Sequence, residues 1–263
     1  MDKLENMEKT MLRMHIKLLF SFIIFSFCLS NSYATENVLD THSIPLLNSS
    51  FVVSLSAGPS WERAGEAQTL DLTPAIIKTY TANKPLNRLP NGELFLGIQN
   101  SLITHLIEQI GLSMAAAGHA TLSGDIWDDG DPLFNNYTYK YEVIHKAILL
   151  KAKVLGNWNW PVMPWISASA GEGFNRAYGF TNTPTVEEAV IMPNFASKMI
   201  KTFTYTLGVG LQRALNPHWQ VGIGYEFSDW GRSQLGSAEG SNHGITLYHL
   251  YTHSALINLT YNT

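Results

Sequence analysis

The side chains in this chain with chemistry to offer are histidines, carboxylates and lysines, and their spacing limits what they can do. His249 and His253 lie four residues apart in a strand-like stretch, about 13 Å at the strand rise, too far to share one metal ion. His243 and His218 add no zinc-type spacing and read as loop or interface residues. Ser254 stands beside His253, but adjacent strand residues point to opposite faces and cannot form a nucleophile–base dyad. Three Gly-x-Gly pairs (Gly171/Gly173, Gly208/Gly210, Gly222/Gly224) lack the following helix that a phosphate-binding loop needs. What remains is a set of polar side chains on the small-residue face of alternating segments: Glu93, His119, Lys151, Lys153, Gln212 and Glu226. If that face lines an interior, its charges must pair, because an unpaired charge is costly to bury. The set then reads as an ion-pair plug, or as the lining of a narrow gated pore. His119 on that face is an interior hydrogen-bonding group or a proton-sensitive gate. No catalytic residue, cofactor or metal is assigned.

The elements that must position these groups are strands. Period-two alternation recurs in eight segments. It is clear at 51–57, 94–98, 110–126, 203–211, 219–227 and 255–261. Residues 139–154 are strand-like throughout, but their apolar parity switches near Ile144, which predicts a bulge. At 165–174, Glu172 falls in phase with Ile166, Ala168 and Ala170, which predicts either a bulge or an early exit from the membrane. The connections alternate in length. They are short at 100–109, 156–162 and 216–218, and long at 62–92, 128–138, 182–200 and 236–246. The first long loop carries "QTLDLTPAIIKTYTANK", which extends the first hairpin outward.

The stretch "WQVGIGYEFSDWG" shows which way the faces point. Trp219, Val221, Ile223, Tyr225 and Phe227 share one face; Gln220, Gly222, Gly224, Glu226 and Ser228 share the other. A soluble barrel alternates too, but its wet face is rich in charge. Here the non-apolar face is mostly Gly, Ser, Thr, Ala and Gln, which suits the crowded interior of an eight-stranded barrel, with the bulky residues facing lipid. Charged residues are only 14% of the chain, against roughly 25% in ordinary soluble domains, so a heavily solvated exterior is disfavoured. Trp61, Trp127 and Trp230 sit at strand ends beside long loops, and Trp158, Trp160, Trp165 and Trp219 beside short turns. Two interfacial aromatic girdles are expected.

Residues 1–34 read as a signal peptide: Arg13 and Lys17, an apolar run over 18–29, and Ser32-Tyr33-Ala34 as the cleavage signal. Cys28 lies within it, so the mature chain is expected to have no thiol. The formal charge of −4 disfavours nucleic acid as a partner. The organisation is then a signal peptide over 1–34, a short segment over 35–50, and a barrel over 51–263.

The segments "GVGLQRALNPHWQVGIGYEFSDWG", "SALINLTY" and "PWISASAGEGF" resemble strands of the small outer-membrane β-barrel family that includes the OmpA transmembrane domain. The resemblance implies an all-β, eight-stranded antiparallel up-and-down transmembrane barrel in a Gram-negative outer membrane, here with no C-terminal peptidoglycan-binding domain. Implied partners are outer-membrane lipids and lipopolysaccharide, the barrel assembly machinery, and a host or surface ligand through the loops. One departure is that Tyr261 is followed by Asn262-Thr263, whereas such barrels often end on an aromatic residue. The expected role is structural or surface-interacting (adhesin-like) and not enzymatic, with the lumen closed by polar side chains. Alternatives are a narrow channel for small or amphipathic solutes and, less favoured, a lipid A-modifying enzyme. A soluble periplasmic barrel would mean that the faces had been assigned in reverse.

Overall fold

Each alternating segment forms a strand. The computed structural model describes residues 49–73, 76–187, 189, 193–238, 241 and 243–263; the expected signal peptide lies outside them. Eight long strands make the wall: β1 (Ser50–Glu62), β4 (Asn87–Ile103), β5 (Leu106–Asp128), β6 (Asn135–Gly156), β7 (Met163–Pro184), β8 (Lys198–Ala214), β9 (Trp219–Asp229) and β12 (Tyr251–Asn262). Each pairs antiparallel with its neighbours, and the β1–β12 and β5–β6 ladders close the sheet into a ring. The expected all-β, eight-stranded up-and-down barrel is what forms.

Four short strands decorate the long loops. β2 (Gln68–Thr73) and β3 (Ile76–Tyr80) form a hairpin whose β3 pairs with the far end of β5. β10 (Ser233–Gln234) and β11 (Thr246–Leu247) form a second small hairpin inside the last long loop. Both described ends of the chain lie at the short-turn end, where Phe51 N–H donates to Thr263 Oγ1 at 3.0 Å.

Strand length separates two zones. A barrel strand needs about 9–11 residues to cross a bilayer, whereas β5 has 23 residues and β6 and β7 have 22 each. Next to the short turns the exterior is apolar: Phe51, Val53, Leu55, Leu96, Leu112, Ile148, Leu150, Ile166, Leu207, Ile223 and Ile257 are all exposed. Side chains of this kind over a closed ring make a lipid-facing band.

Strand β6 shows what happens beyond it. Its inward residues keep one parity throughout: Tyr139, Tyr141, Val143, His145, Ala147, Leu149, Lys151 and Lys153 are all buried. The register shift of the β5–β6 ladder does lie opposite Ile144, but its extra residue is on β5, between Ala117 and Ala120, and β6 itself is not bulged there. The apolar parity switches because the environments exchange. Towards the short turns the interior is polar and the exterior lipid-facing; towards the long loops the interior is aromatic and aliphatic, and the exterior carries Thr138, Lys140 and Glu142. Glu172 on β7 has the same cause. It stays in outward register opposite Ile148 and Phe203, so it marks the edge of the lipid band and not a bulge. The barrel is thus two stacked halves of opposite polarity, an inside-out one in lipid and a soluble-type one above it.

Candidate functional site

The interior of the lipid-spanning half is built from the small-residue face of each strand. Lys151 on β6 reaches across the lumen, its Nζ donating to Glu93 Oε1 at 2.6 Å, Glu93 Oε2 at 2.8 Å and Glu226 Oε2 at 3.0 Å. All three residues are buried. The next lysine on the same face, Lys153, donates to Gln212, whose amide donates in turn to Gln220. Its ammonium also lies 4.6 Å from the centre of the Trp165 ring. Smaller contacts fill the remaining width: Gln109 Nε2 to Gln99 at 2.7 Å, Ser54 with Thr260 at 2.9 Å and Ser169 with Thr206 at 2.7 Å. Charge-assisted bonds of this kind are shorter and stronger than neutral ones, and buried charges need them.

Five of the six polar residues expected in the lumen therefore sit there together: Glu93, Lys151, Lys153, Gln212 and Glu226. His119 does not. A register shift between Ala117 and Ala120 on β5 rotates it to the outside wall, above the lipid band. There its ring contacts the Tyr178 hydroxyl and lies 3.4 Å from Glu142 Oε2. Its side chain is 60% exposed, so it is neither an interior hydrogen bond nor a luminal gate.

The tryptophans also divide. Trp158, Trp160 and Trp219 are exposed at the short-turn end, and Trp158 packs against Trp160 with ring centres 5.5 Å apart. Trp61 lies on the outer wall opposite His253. Trp127 sits far along β5, well past the lipid-facing Met114 and Ala116. Two are corrections. Trp165 points into the lumen, and Trp230 is 1% exposed in the interior of the upper half.

Trp165 accounts for three of the paired glycines, Gly208, Gly210 and Gly224. A Cβ built on Gly224 would stand 2.4 Å from Trp165 Cζ2, one on Gly210 2.6 Å from the same atom, and one on Gly208 3.1 Å from Cζ3. The indole occupies the room that three missing side chains leave on β8 and β9. Parity on β7 already put Trp165 in phase with Ser167 and Ser169; its place at a strand end pointed to a girdle instead.

Above the polar lumen lies an apolar cap that sequence patterning did not reveal. The last long loop turns back over the barrel mouth and buries Trp230, Leu235, Ile245, Leu247 and Leu250. These meet Leu122, Ile126, Val143 and Leu149 of the wall in one apolar cluster, which also holds Tyr80, Tyr139, Phe180 and Phe195. Phe180 and Phe195 pack edge-to-face at 4.9 Å, and Tyr139 stacks on Phe180 at 5.9 Å. Burial, with Tyr139 and Asp128 nearby, pushes the Tyr80 phenol above its ordinary range, so it stays neutral.

Polar latches hold the loop down. Asn175 Oδ1 accepts from His145 Nδ1–H at 2.9 Å, and its Nδ2 donates to the carbonyls of Trp230 and Arg232 at 2.7 and 2.8 Å. Trp230 Nε1 donates to Thr252 Oγ1 at 2.9 Å. From the first loop, the Gln68 amide pairs with the backbone of Thr246 in both directions, at 2.8 and 2.9 Å. Gly231, at φ +72°, makes the turn into this loop, a conformation glycine adopts without strain.

No protein-family model matches the chain, and no curated protein matches it in sequence. Among solved structures it is similar to Neisserial surface protein A, at 11% identity and a TM-score of 0.39, covering 81% of this chain and 98% of that one. It is also similar to Ail, the attachment invasion locus protein of Yersinia pestis (13%, TM-score 0.36, 81% and 98% covered). A third is the outer membrane protease OmpT from Escherichia coli (11%, TM-score 0.42, 85% and 99% covered). These are small outer-membrane β-barrel proteins, and at such values the likeness carries nothing about function.

Proposed function

We propose that the protein is an outer-membrane barrel with a structural or surface-interaction (adhesin-like) role, and that its lumen does not conduct. Residues 1–34 direct export, the barrel assembly machinery inserts the chain, and outer-membrane lipids and lipopolysaccharide surround it. One observation carries the non-conducting reading: the luminal cavity lined by Ser56, Glu93, Lys151, Lys153, Trp165 and Glu226 has a volume of only about 20 Å³, the room of a single water. The apolar cap lies in series with that polar plug. What the protein offers its surroundings is the outer wall of the upper half and the β2–β3 hairpin.

The test has two arms. Outer-membrane fractions run on SDS gels with and without boiling should show a band that shifts on heating. The purified barrel in planar bilayers should then give no unitary conductance steps. A periplasm-soluble protein overturns the membrane reading; regular conductance steps that vanish in Lys151→Met overturn the closed lumen and favour a narrow conduit.

A further inference from the structure

The outer wall is electrically lopsided. Strands β1, β5, β9 and β12 contain no Lys or Arg at all. Strands β6, β7 and β8 carry outward-facing Lys140, Lys146, Arg176 and Lys201. At the edge of the lipid band β9 and β12 instead present Tyr225, Phe227, Tyr251 and His253, with Tyr225 and His253 joined at 2.6 Å and Phe227 stacked on Tyr251.

Three of the cations sit where the polarity of the wall inverts. Lys146 is opposite Phe174, which is opposite Lys201, and Arg176 follows Phe174 by two residues on the same face. Immediately towards the short turns come Ile148, Leu150 and Phe203, all exposed and apolar. That boundary is where lipid headgroups must lie. Among the described residues Lys146 and Arg176 have no carboxylate partner; Arg176 rests over the Tyr178 ring at 5.3 Å. Lys201 is shared with Glu172 at 3.1 Å and lies 5.4 Å from the Phe174 ring centre.

We infer that Lys146, Arg176 and Lys201 form a clamp on β6–β8 for the phosphate of an outer-leaflet phosphorylated glycolipid, whose acyl chains lie on Ile148, Leu150 and Phe203. The inference rests on the outer-membrane reading above and adds a side and a headgroup to it. Guanidinium and ammonium groups bind phosphate through charge-assisted bonds, and a chain of net charge −4 that sets Lys146, Arg176 and Lys201 on three adjacent strands at headgroup depth is locally complementary to an anion there. Glu172 competes for Lys201, which sets the clamp below its full strength.

The experiment counts lipid on the full chain purified from outer membranes in mild detergent, by native mass spectrometry. The wild type should retain phosphorylated glycolipid, and K146Q/R176Q/K201Q should retain about tenfold less. E172Q should retain more, and R88Q, on β4, should equal the wild type. Heat modifiability is read on every variant, so loss of the barrel is separated from loss of the lipid. If the triple variant does not fold, K146Q alone and a salt series on the wild type replace it, with retention falling as salt rises. Equal retention in wild type and folded variants, insensitivity to salt, equal retention of a dephosphorylated glycolipid, or displacement by inorganic phosphate at equimolar lipid each overturns the clamp.

Discussion

Replacing Lys151 by Met tests the luminal plug most directly. The ammonium bonds both oxygens of Glu93 and one of Glu226, inside a lumen from which water is nearly excluded. Met fills similar volume but leaves two buried carboxylates without the cation that joins them. Removing one partner of a buried ion pair costs about 3–5 kcal/mol, whereas neutralising the whole set is often close to neutral. K151M should therefore be strongly destabilised, and E93Q/K151M/E226Q should recover most of the loss. With a slope of about 2 kcal/mol per molar urea, the K151M midpoint falls by roughly 1.5–2.5 M. The assay is urea unfolding in lipid vesicles, followed by tryptophan fluorescence and the heat-dependent gel shift. Among the described residues Lys153 is the other buried luminal cation placed to take over, so K151M/K153M should be no more stable than K151M. A K151M midpoint equal to the wild type, or a triple variant no better than K151M, refutes the ion-pair plug.

Three other outcomes follow from the same interior. Gly224→Val puts a side chain into the Trp165 indole and should cost about 1–3 kcal/mol in the urea assay, with W165A in the same chain relieving it. Trp230→Ala empties the apolar cap and loses the bond to Thr252, lowering stability by about 3–5 kcal/mol while the lipid-spanning half still gives a heat-shifted band. Gln68→Ala removes the paired bonds to Thr246; limited proteolysis of intact cells should then cut within residues 230–250 faster than in the wild type, and an unchanged cutting rate would show that the loop is held by its apolar contacts alone.

The wall of the barrel was legible because lipid on one side and a narrow lumen on the other impose strict period-two alternation. Glu93, Lys151, Lys153, Gln212 and Glu226 were found by parity alone, since β4, β6, β8 and β9 keep their register through the membrane. His119 was misplaced because a register shift at Ala117/Ala120 is silent in a run of small residues. At Ile144 the ladder does carry a shift, on the β5 side, but the apolar face of β6 reverses for another reason: a strand crossing from lipid into water exchanges its environments while its own inward parity is kept. Trp230 and the leucines of the last loop follow no period, because a folded-back loop is held by tertiary packing and not by alternation.

The reversal of polarity also fixes how deep the barrel floats. Sinking it by one residue pair, about 6–7 Å along a strand, would draw Lys146, Glu172 and Lys201 into hydrocarbon. Raising it by the same amount would expose Ile148, Leu150 and Phe203 to water. Charged side chains on a barrel's lipid face cost almost nothing near the interface and about 2–4 kcal/mol at the midplane, so both displacements are uphill. The wall carries its own waterline, and whatever the β2–β3 hairpin meets, it meets at a set height above the cell surface.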